Sequence, residues 1–232
     1  MKKEILAIIC ARGGSKGIPG KNLKQICGLP MIQYTIDAAK ESSFISRIIL
    51  SSDDQEIIDY CKTKNLEVPF LRPQELATDQ AAMIDVLKHA ILFLKEKENY
   101  YPKYVLLLQP TSPLRTSKHI DEALERLIEL DADSIVSVVE VPHNFNPGSL
   151  MESEGVFLRH CVKIDEKNLI RQKKPKFYGR NGPAVLAFKS DCLLKGNTVY
   201  GSKILSYIMQ KDESVDIDDD FDFRIAECFF KK

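Results

Sequence analysis

The chain has 232 residues, 44% hydrophobic and 28% charged, enough for one sizeable core, short for two independent ones, and ordinary for a globular protein. Lys plus Arg and Asp plus Glu balance at 33 each, so there is no broad positive field to displace counterions from a nucleic-acid backbone, and a phosphate ligand must be held locally. The six cysteines contain no Cys-x-x-Cys pair and the four histidines no ligand spacing, which argues against zinc and reads as reduced core thiols.

The apolar run Ile5–Cys10 follows Met1-Lys2-Lys3 in the manner of a short signal peptide, but it stops at Arg12 without a cleavage site and predicts a first strand. No apolar stretch approaches the ~20 residues of a membrane span, so a cytoplasmic location with no membrane partner is expected. Helical periodicity over Met31–Lys40 is followed by a strand at Ile48–Ser52 and a helix at Gln55–Lys64. A longer helix at Ala82–Lys97 precedes the strand Tyr104–Leu108, the helix His119–Leu130 and the strand Ser134–Val139. This alternation predicts an α/β fold with a doubly wound, mainly parallel sheet. Strands as uniformly apolar as Ile5–Cys10 and Val105–Leu108 are covered on both faces, and ligands of such sheets gather beyond the strands' carboxyl ends.

From Pro142 to about Tyr178 the rhythm gives way to Pro, Asn, Gly and Lys with short extended pieces such as Gly155–Leu158. It reads as a β-rich arm, residues 142–178, inserted in a single domain spanning 1–232 and making an oligomer contact. The alternation resumes with Ala184–Phe188 and closes with a helix over Asp219–Phe229, whose acidic first turn suits the helix dipole.

Directly after the first strand, Arg12-Gly13-Gly14-Ser15-Lys16-Gly17-Ile18-Pro19-Gly20-Lys21-Asn22 places four glycines and three cations in one turn. Glycine admits backbone N–H groups close to an anion and the cations supply full charges, which is how a triphosphate is gripped. The P-loop spacing fails, since five residues separate Gly14 from Gly20 and Asn22 follows Lys21. The dinucleotide fingerprint fails because Arg12 stands where glycine is needed. Asp216 and Asp218, two apart in an extended segment, point to one side and suit a hard cation such as Mg²⁺ or Mn²⁺; a solvated acidic edge is the other reading, and helix capping suits Asp219 and Asp220 better.

The Ala11–Gly17 stretch with Pro19 and Lys21-Asn22 resembles the signature of the CMP-N-acylneuraminate cytidylyltransferases, which activate sialic and related nonulosonic acids. Leu71-Arg72-Pro73, Glu75-Leu76-Ala77, Asp79, Leu108–Arg115 and Ser214–Asp218 are similar to the family's remaining motifs in text and order, so the resemblance runs nearly end to end. It implies a Rossmann-like nucleotidyltransferase fold with a dimerisation arm. The implied reaction is attack by the anomeric hydroxyl of an acidic nine-carbon sugar on the α-phosphorus of CTP, releasing pyrophosphate, in a homodimer. Arg12 and Lys21 would neutralise developing charge, with Asp216 and Asp218 carrying the metal. Ala11, Gly13, Ser15, Asn22, Arg72 and Ala81 would complete the nucleotide pocket; a surface role for Arg72 is the alternative. Gln109, Arg171, Gln172, Arg180 and Tyr200 would face the sugar, with Arg171 first choice for its carboxylate. Val199 and Tyr200 stand where the family sends an aromatic pair into the partner's site, or else simply pack in the core. Met83 departs from the family's frequent serine. The competing readings are a metal-dependent glycosyltransferase, in which an Asp-x-Asp clamps a nucleotide-sugar, and a regulatory nucleotide-binding module without turnover.

Overall fold

The computed structural model describes residues 4–15, 17–162 and 176–230. Six strands build the main path of the sheet: β1 (Ile5–Cys10), β4 (Arg47–Ser51), β5 (Tyr104–Leu108), β6 (Ser134–Glu140), β10 (Leu186–Lys189) and β11 (Ile204–Ile208), in the order β11-β6-β10-β5-β1-β4. β1 is parallel to both β4 and β5, and β11 is parallel to β6. The chain thus leaves β1 to one side and later returns to its other side, putting a switch point between β1 and β5, where open sheets of this kind have their ligand crevice.

Both faces are covered. Ile5, Ala7 and Ile9 pack with Ile32 and Ile36 of α1 (Met31–Glu41), Ile57 and Ile58 of α2 (Gln55–Thr63), and Ile120, Ala123 and Leu124 of α4 (Ser117–Glu129). The alternate residues Leu6 and Ile8 meet Leu87, Ala90, Ile91 and Leu94 of α3 (Met83–Glu98). The period of two along β1 therefore divides between two apolar layers, which is why the strand reads as continuously hydrophobic. Helices are started where the sequence allows: Asp54 accepts from the Ile57 N–H, and Thr116 and His119 form a reciprocal capping box on α4.

The strand expected at Ala184–Phe188 exists, but it runs against the sheet. β10 is antiparallel to both β5 and β6, because the chain leaves β6 at its carboxyl end, passes through the inserted region and comes back down. On the way β9 (Tyr178–Arg180) also pairs antiparallel with the far end of β6. β9 and β10 are two parts of one returning strand, interrupted between Arg180 and Leu186. The interruption is satisfied locally: the Ser137 hydroxyl accepts from the Val185 N–H at 2.8 Å and donates to Asn181 Oδ1 at 2.6 Å, while Asn181 Nδ2 donates to Ser214 Oγ at 3.0 Å. β11 and the short α5 (Ser190–Leu194) lie outside the elements expected from sequence.

Within the inserted region, β7 (Met151–Glu154) and β8 (Phe157–His160) form an antiparallel hairpin turning at Gly155. Val156, Phe157 and Leu158 are exposed at its tip. A second small hairpin, β2 (Gln25–Ile26) with β3 (Leu29–Pro30), follows the glycine-rich turn. It shares a third apolar cluster with α6 (Asp220–Phe230), formed by Ile18, Ile26, Met31, Ile217, Phe223 and Ala226. All six cysteines are free. Cys10 and Cys61 are buried as expected of core thiols, burial pushing the former up to about 11, whereas Cys27, Cys161 and Cys228 are exposed.

Candidate active site

The glycine-rich turn leaves the carboxyl end of β1 and is clasped by the segment leading into α6. Lys21 Nζ donates to the Ile217 carbonyl at 2.7 Å and lies 3.9 Å from Asp218 Oδ1. Gly17 packs so closely that a Cβ there would sit 2.2 Å from the Asp218 carbonyl oxygen, so this contact requires glycine. The Ile217 N–H donates to the Thr111 carbonyl at 2.8 Å, tying the same segment to the loop after β5. The turn, the acidic pair and the Gln109–Arg115 loop thus meet at one end of the sheet. Lys16 lies outside the described residues.

Within the turn, Ala11 is buried and donates to the Ser51 carbonyl at 3.1 Å. Asn22, also buried, donates its amide to the Arg12 carbonyl at 2.9 Å and so braces the turn from inside. The Gly13 N–H donates to Asp53 Oδ1 at 3.2 Å, and Arg12 pairs with Asp79 at 2.7 Å while reaching the Ala77 carbonyl at 3.5 Å. Ser15 is half-buried in the turn, and half-buried Ala81 closes a turn onto the Thr78 carbonyl at 3.2 Å. Arg12 therefore spans from the glycine-rich turn to the 77–81 segment.

Arg72 is no surface arginine. Its guanidinium is buried at the end of β4, donating to Ser51 Oγ at 3.0 Å and to the Ser51 carbonyl at 2.5 Å. Nearby, burial first and the Arg72 charge second hold His89 below the ordinary histidine range, so it is neutral at pH 7. Met83, at the start of α3, packs against the second apolar layer.

Gln109 opens the loop after β5 with its Oε1 sealed from solvent and without a partner. Arg115 fixes that loop from behind. Fully buried, it donates to the Gln109 and Ala184 carbonyls at 3.2 and 2.9 Å and to Thr35 Oγ1 at 2.5 Å. Burial lowers its guanidinium to about 9, still protonated at neutral pH. On the far side, Arg180 donates to the Tyr200 hydroxyl at 2.5 Å and lies over its ring, 5.9 Å from the centroid. These two residues, both expected to face the sugar, come together from β9 and from the approach to β11. Val199 and Tyr200 also pack partly into the second apolar layer. Arg171 and Gln172 lie outside the described residues.

Asp216 is half-buried and Asp218 exposed. Burial raises Asp216 above the ordinary aspartate range; the Thr111 hydroxyl opposes this, the Asp218 charge adds to it and the Lys21 charge counters it. Its Oδ1 is sealed and has no hydrogen-bond partner. With Oδ1 turned inward, the other Asp216 oxygen and the exposed Asp218 carboxylate suit a cation that takes one or two protein oxygens and completes its shell with phosphates and water. Among the described residues no group of three or more His, Cys, Asp or Glu is placed to hold a metal by itself.

Contributors with no role assigned in the sequence include Ser51, Asp53, Asp79, Thr111, Ser112 and Arg115. Asp79 sat within a motif, and the Ser51-Ser52-Asp53-Asp54 run at a strand's end was a legible polar signal. The backbone contacts of Ser51 and the burial of Ser112 left no sequence trace.

A cationic glycine-rich turn and an acidic pair meet beside the switch point of a mainly parallel sheet, with a buried arginine at the end of β4, where sheets of this kind take their ligands. The cytidylyltransferase family model matches residues 6–227, and the chain belongs to that family. The post-translational flagellin modification protein B of Campylobacter coli is 34% identical, over 99% of this chain and 96% of its own. A CMP-N,N'-diacetyllegionaminic acid synthase of Campylobacter jejuni is 34% identical over 97% and 94%. An N-acylneuraminate cytidylyltransferase of Streptococcus agalactiae serotype V is 36% identical over 97% of this chain and 53% of its own, so the chain spans about half the length of that relative. A solved structure of CMP:2-keto-3-deoxy-manno-octonic acid synthetase complexed with CTP shares the fold, with a TM-score of 0.72 at 14% identity over 99% of both chains. Membership favours an enzyme over a regulatory module, and a nucleotidyltransferase over a glycosyltransferase.

Proposed function

We propose that the chain is a CMP-nonulosonate synthetase, joining the CMP moiety of CTP to the anomeric hydroxyl of an acidic nine-carbon sugar and releasing pyrophosphate. The observation that carries this reading is the meeting of Lys21, Asp216 and Asp218 with Arg72 and Gln109 at one end of the sheet. Phosphoryl-type transfers rest on positioning and charge neutralisation. Lys21, held at the Ile217 carbonyl, sits where charge develops on the triphosphate, and Arg12 adds a second cation. Ser15 and Gly13 line the turn that takes the phosphates. Arg72, with Ala11 and Ala81, forms the base end of the pocket. Asp216 and Asp218 would hold Mg²⁺ or Mn²⁺, which when bound supplies charge neutralisation and orientation of the phosphate oxygens.

On the acceptor side, Gln109, Arg180 and Tyr200 would orient the sugar, joined by Arg171 and Gln172. The exposed Val156, Phe157 and Leu158 at the hairpin tip support assembly as a homodimer through the arm, since contiguous apolar patches of this kind mark interaction surfaces. No helix among the described residues is long and apolar enough to cross a membrane, and a reaction that consumes CTP fits the cytoplasm. Incubation with CTP, Mg²⁺ and a panel of N-acetylneuraminate, legionaminate and pseudaminate tests the reading. Stoichiometric pyrophosphate and CMP-sugar are expected with at least one acid; no pyrophosphate with any of them refutes the assignment.

A further inference from the structure

Two sealed oxygens in the site lack partners in addition to Gln109 Oε1: Ser112 Oγ and Asp216 Oδ1. They arrive from different segments and face the same glycine. A Cβ on Gly182 would lie 2.9 Å from Ser112 Oγ and 3.1 Å from Asp216 Oδ1. Gly182 has φ +110, in the region that favours glycine, so the strand interruption keeps this corner free of side chain. Ser112 is 1% exposed, and a hydroxyl so buried without a partner costs free energy unless another state of the site engages it. The two oxygens are not hydrogen-bonded to each other in this structure, and with both sealed from bulk water a turn of the Ser112 side chain toward the Asp216 carboxylate across Gly182 is what would satisfy the hydroxyl.

We propose that Ser112 is a positioning residue for Asp216: its hydroxyl donates to Oδ1, fixing the carboxylate so that its other oxygen is presented to the divalent cation. This rests on the cation reading of Asp216 and Asp218 given above. Three features support it. Asp216 is half-buried as a residue while its Oδ1 is sealed, so one oxygen turns into the protein. The Ile217 N–H to Thr111 carbonyl bond holds the two segments in register, one residue along from each partner. Ser112 N donates to the Gln109 carbonyl at 3.4 Å, so its loop is internally fixed and the hydroxyl is the part left to turn. Partners that orient a metal-binding carboxylate act through it, without touching substrate.

The test is binding of Mn²⁺ to the enzyme with CTP and no sugar, followed by the paramagnetic resonance spectrum of protein-bound Mn²⁺, so that no turnover enters the reading. Ser112→Ala is expected to raise the half-saturating Mn²⁺ concentration about tenfold, while CTP binding in the presence of a chelator stays within about twofold of the parent. Asp216→Asn is the reference and should abolish the bound signal. Unchanged Mn²⁺ binding in Ser112→Ala, with the signal lost in Asp216→Asn, overturns the role of Ser112 and leaves the cation site standing. A parallel loss of metal-free CTP binding in Ser112→Ala overturns it as well, because the serine would then be holding the fold of the loop. An intact signal in Asp216→Asn overturns the cation reading itself.

Discussion

At the ends of β1 and β4 the candidate nucleotide residues are tied to the backbone: Asn22 to the Arg12 carbonyl, Arg72 to Ser51, Lys21 to the Ile217 carbonyl. Beside the far end of β6, the exposed Arg180 of the returning strand β9 donates to the half-buried Tyr200 on the approach to β11. The proposed nucleotide side is pre-organised, which limits the entropy lost when a ligand binds. The proposed acceptor side rests on a side chain–side chain pair rather than on the backbone, so it would vary without disturbing the nucleotide side. The two sides should therefore respond differently to mutation.

A large effect on turnover is expected for Lys21→Ala, which removes a full charge from the phosphates and a buttress from the Ile217 segment; the rate should fall about 10²–10³-fold in a pyrophosphate assay. A loss under about threefold would mean that the clasp is only structural. Gly182→Ala joins the two sides at their seam. The added Cβ would press on Ser112 and Asp216 while the backbone stays at φ +110, so activity toward both substrates should drop together and thermal stability with it. Selective loss toward one substrate would speak against a shared corner.

Arg180→Ala should raise the KM for the sugar about tenfold, the loss of a charge-assisted hydrogen bond, and leave the KM for CTP unchanged. A shift in the CTP value would erase the division into two sides. Asp216→Asn separates chemistry from stability. Burial raises the folded pKa above its unfolded value, so the ionised carboxylate costs stability at neutral pH, a cost absent below the ordinary aspartate range. The variant should be inactive yet melt higher than the parent at pH 7, the difference vanishing as pH falls below that range. Smallest is Asp79→Asn. The Arg12–Asp79 pair is 35% and 41% exposed, so freeing Arg12 should change the CTP dissociation constant by about two- to fivefold and no more.

Much of the nucleotide side was legible because its residues are contiguous in sequence and follow uniformly apolar strands: the turn at Arg12–Asn22 and the loop at Gln109–Arg115 both begin where β1 and β5 end. The acceptor side was harder to read for physical reasons. β10 looks like any buried strand, since an apolar run carries no sign of direction, and its reversal depends on where the chain re-enters the sheet. β11 has exposed Ile204 and Ile208 and lacks the continuous burial that marks the central strands. Arg72 was readable as a family motif, but its depth follows from Ser51 offering both a hydroxyl and a carbonyl. The exposed Cys27, Cys161 and Cys228 escaped because burial propensity is an average over sites, and turns and helix ends fall outside it.

The clasp between Lys21 and Ile217 joins positions 196 residues apart, and Lys24 with Asp220 spans the same separation. Ile18 and Ile26 find their apolar partners Ile217, Phe223 and Ala226 at the same far end of the sequence. During synthesis, the turn must wait for a further 196 residues to emerge before it has a wall to close against. Until then Lys21 is unbraced, and a ribosome-bound chain lacking residues 217–226 would carry the glycine-rich turn without that clasp.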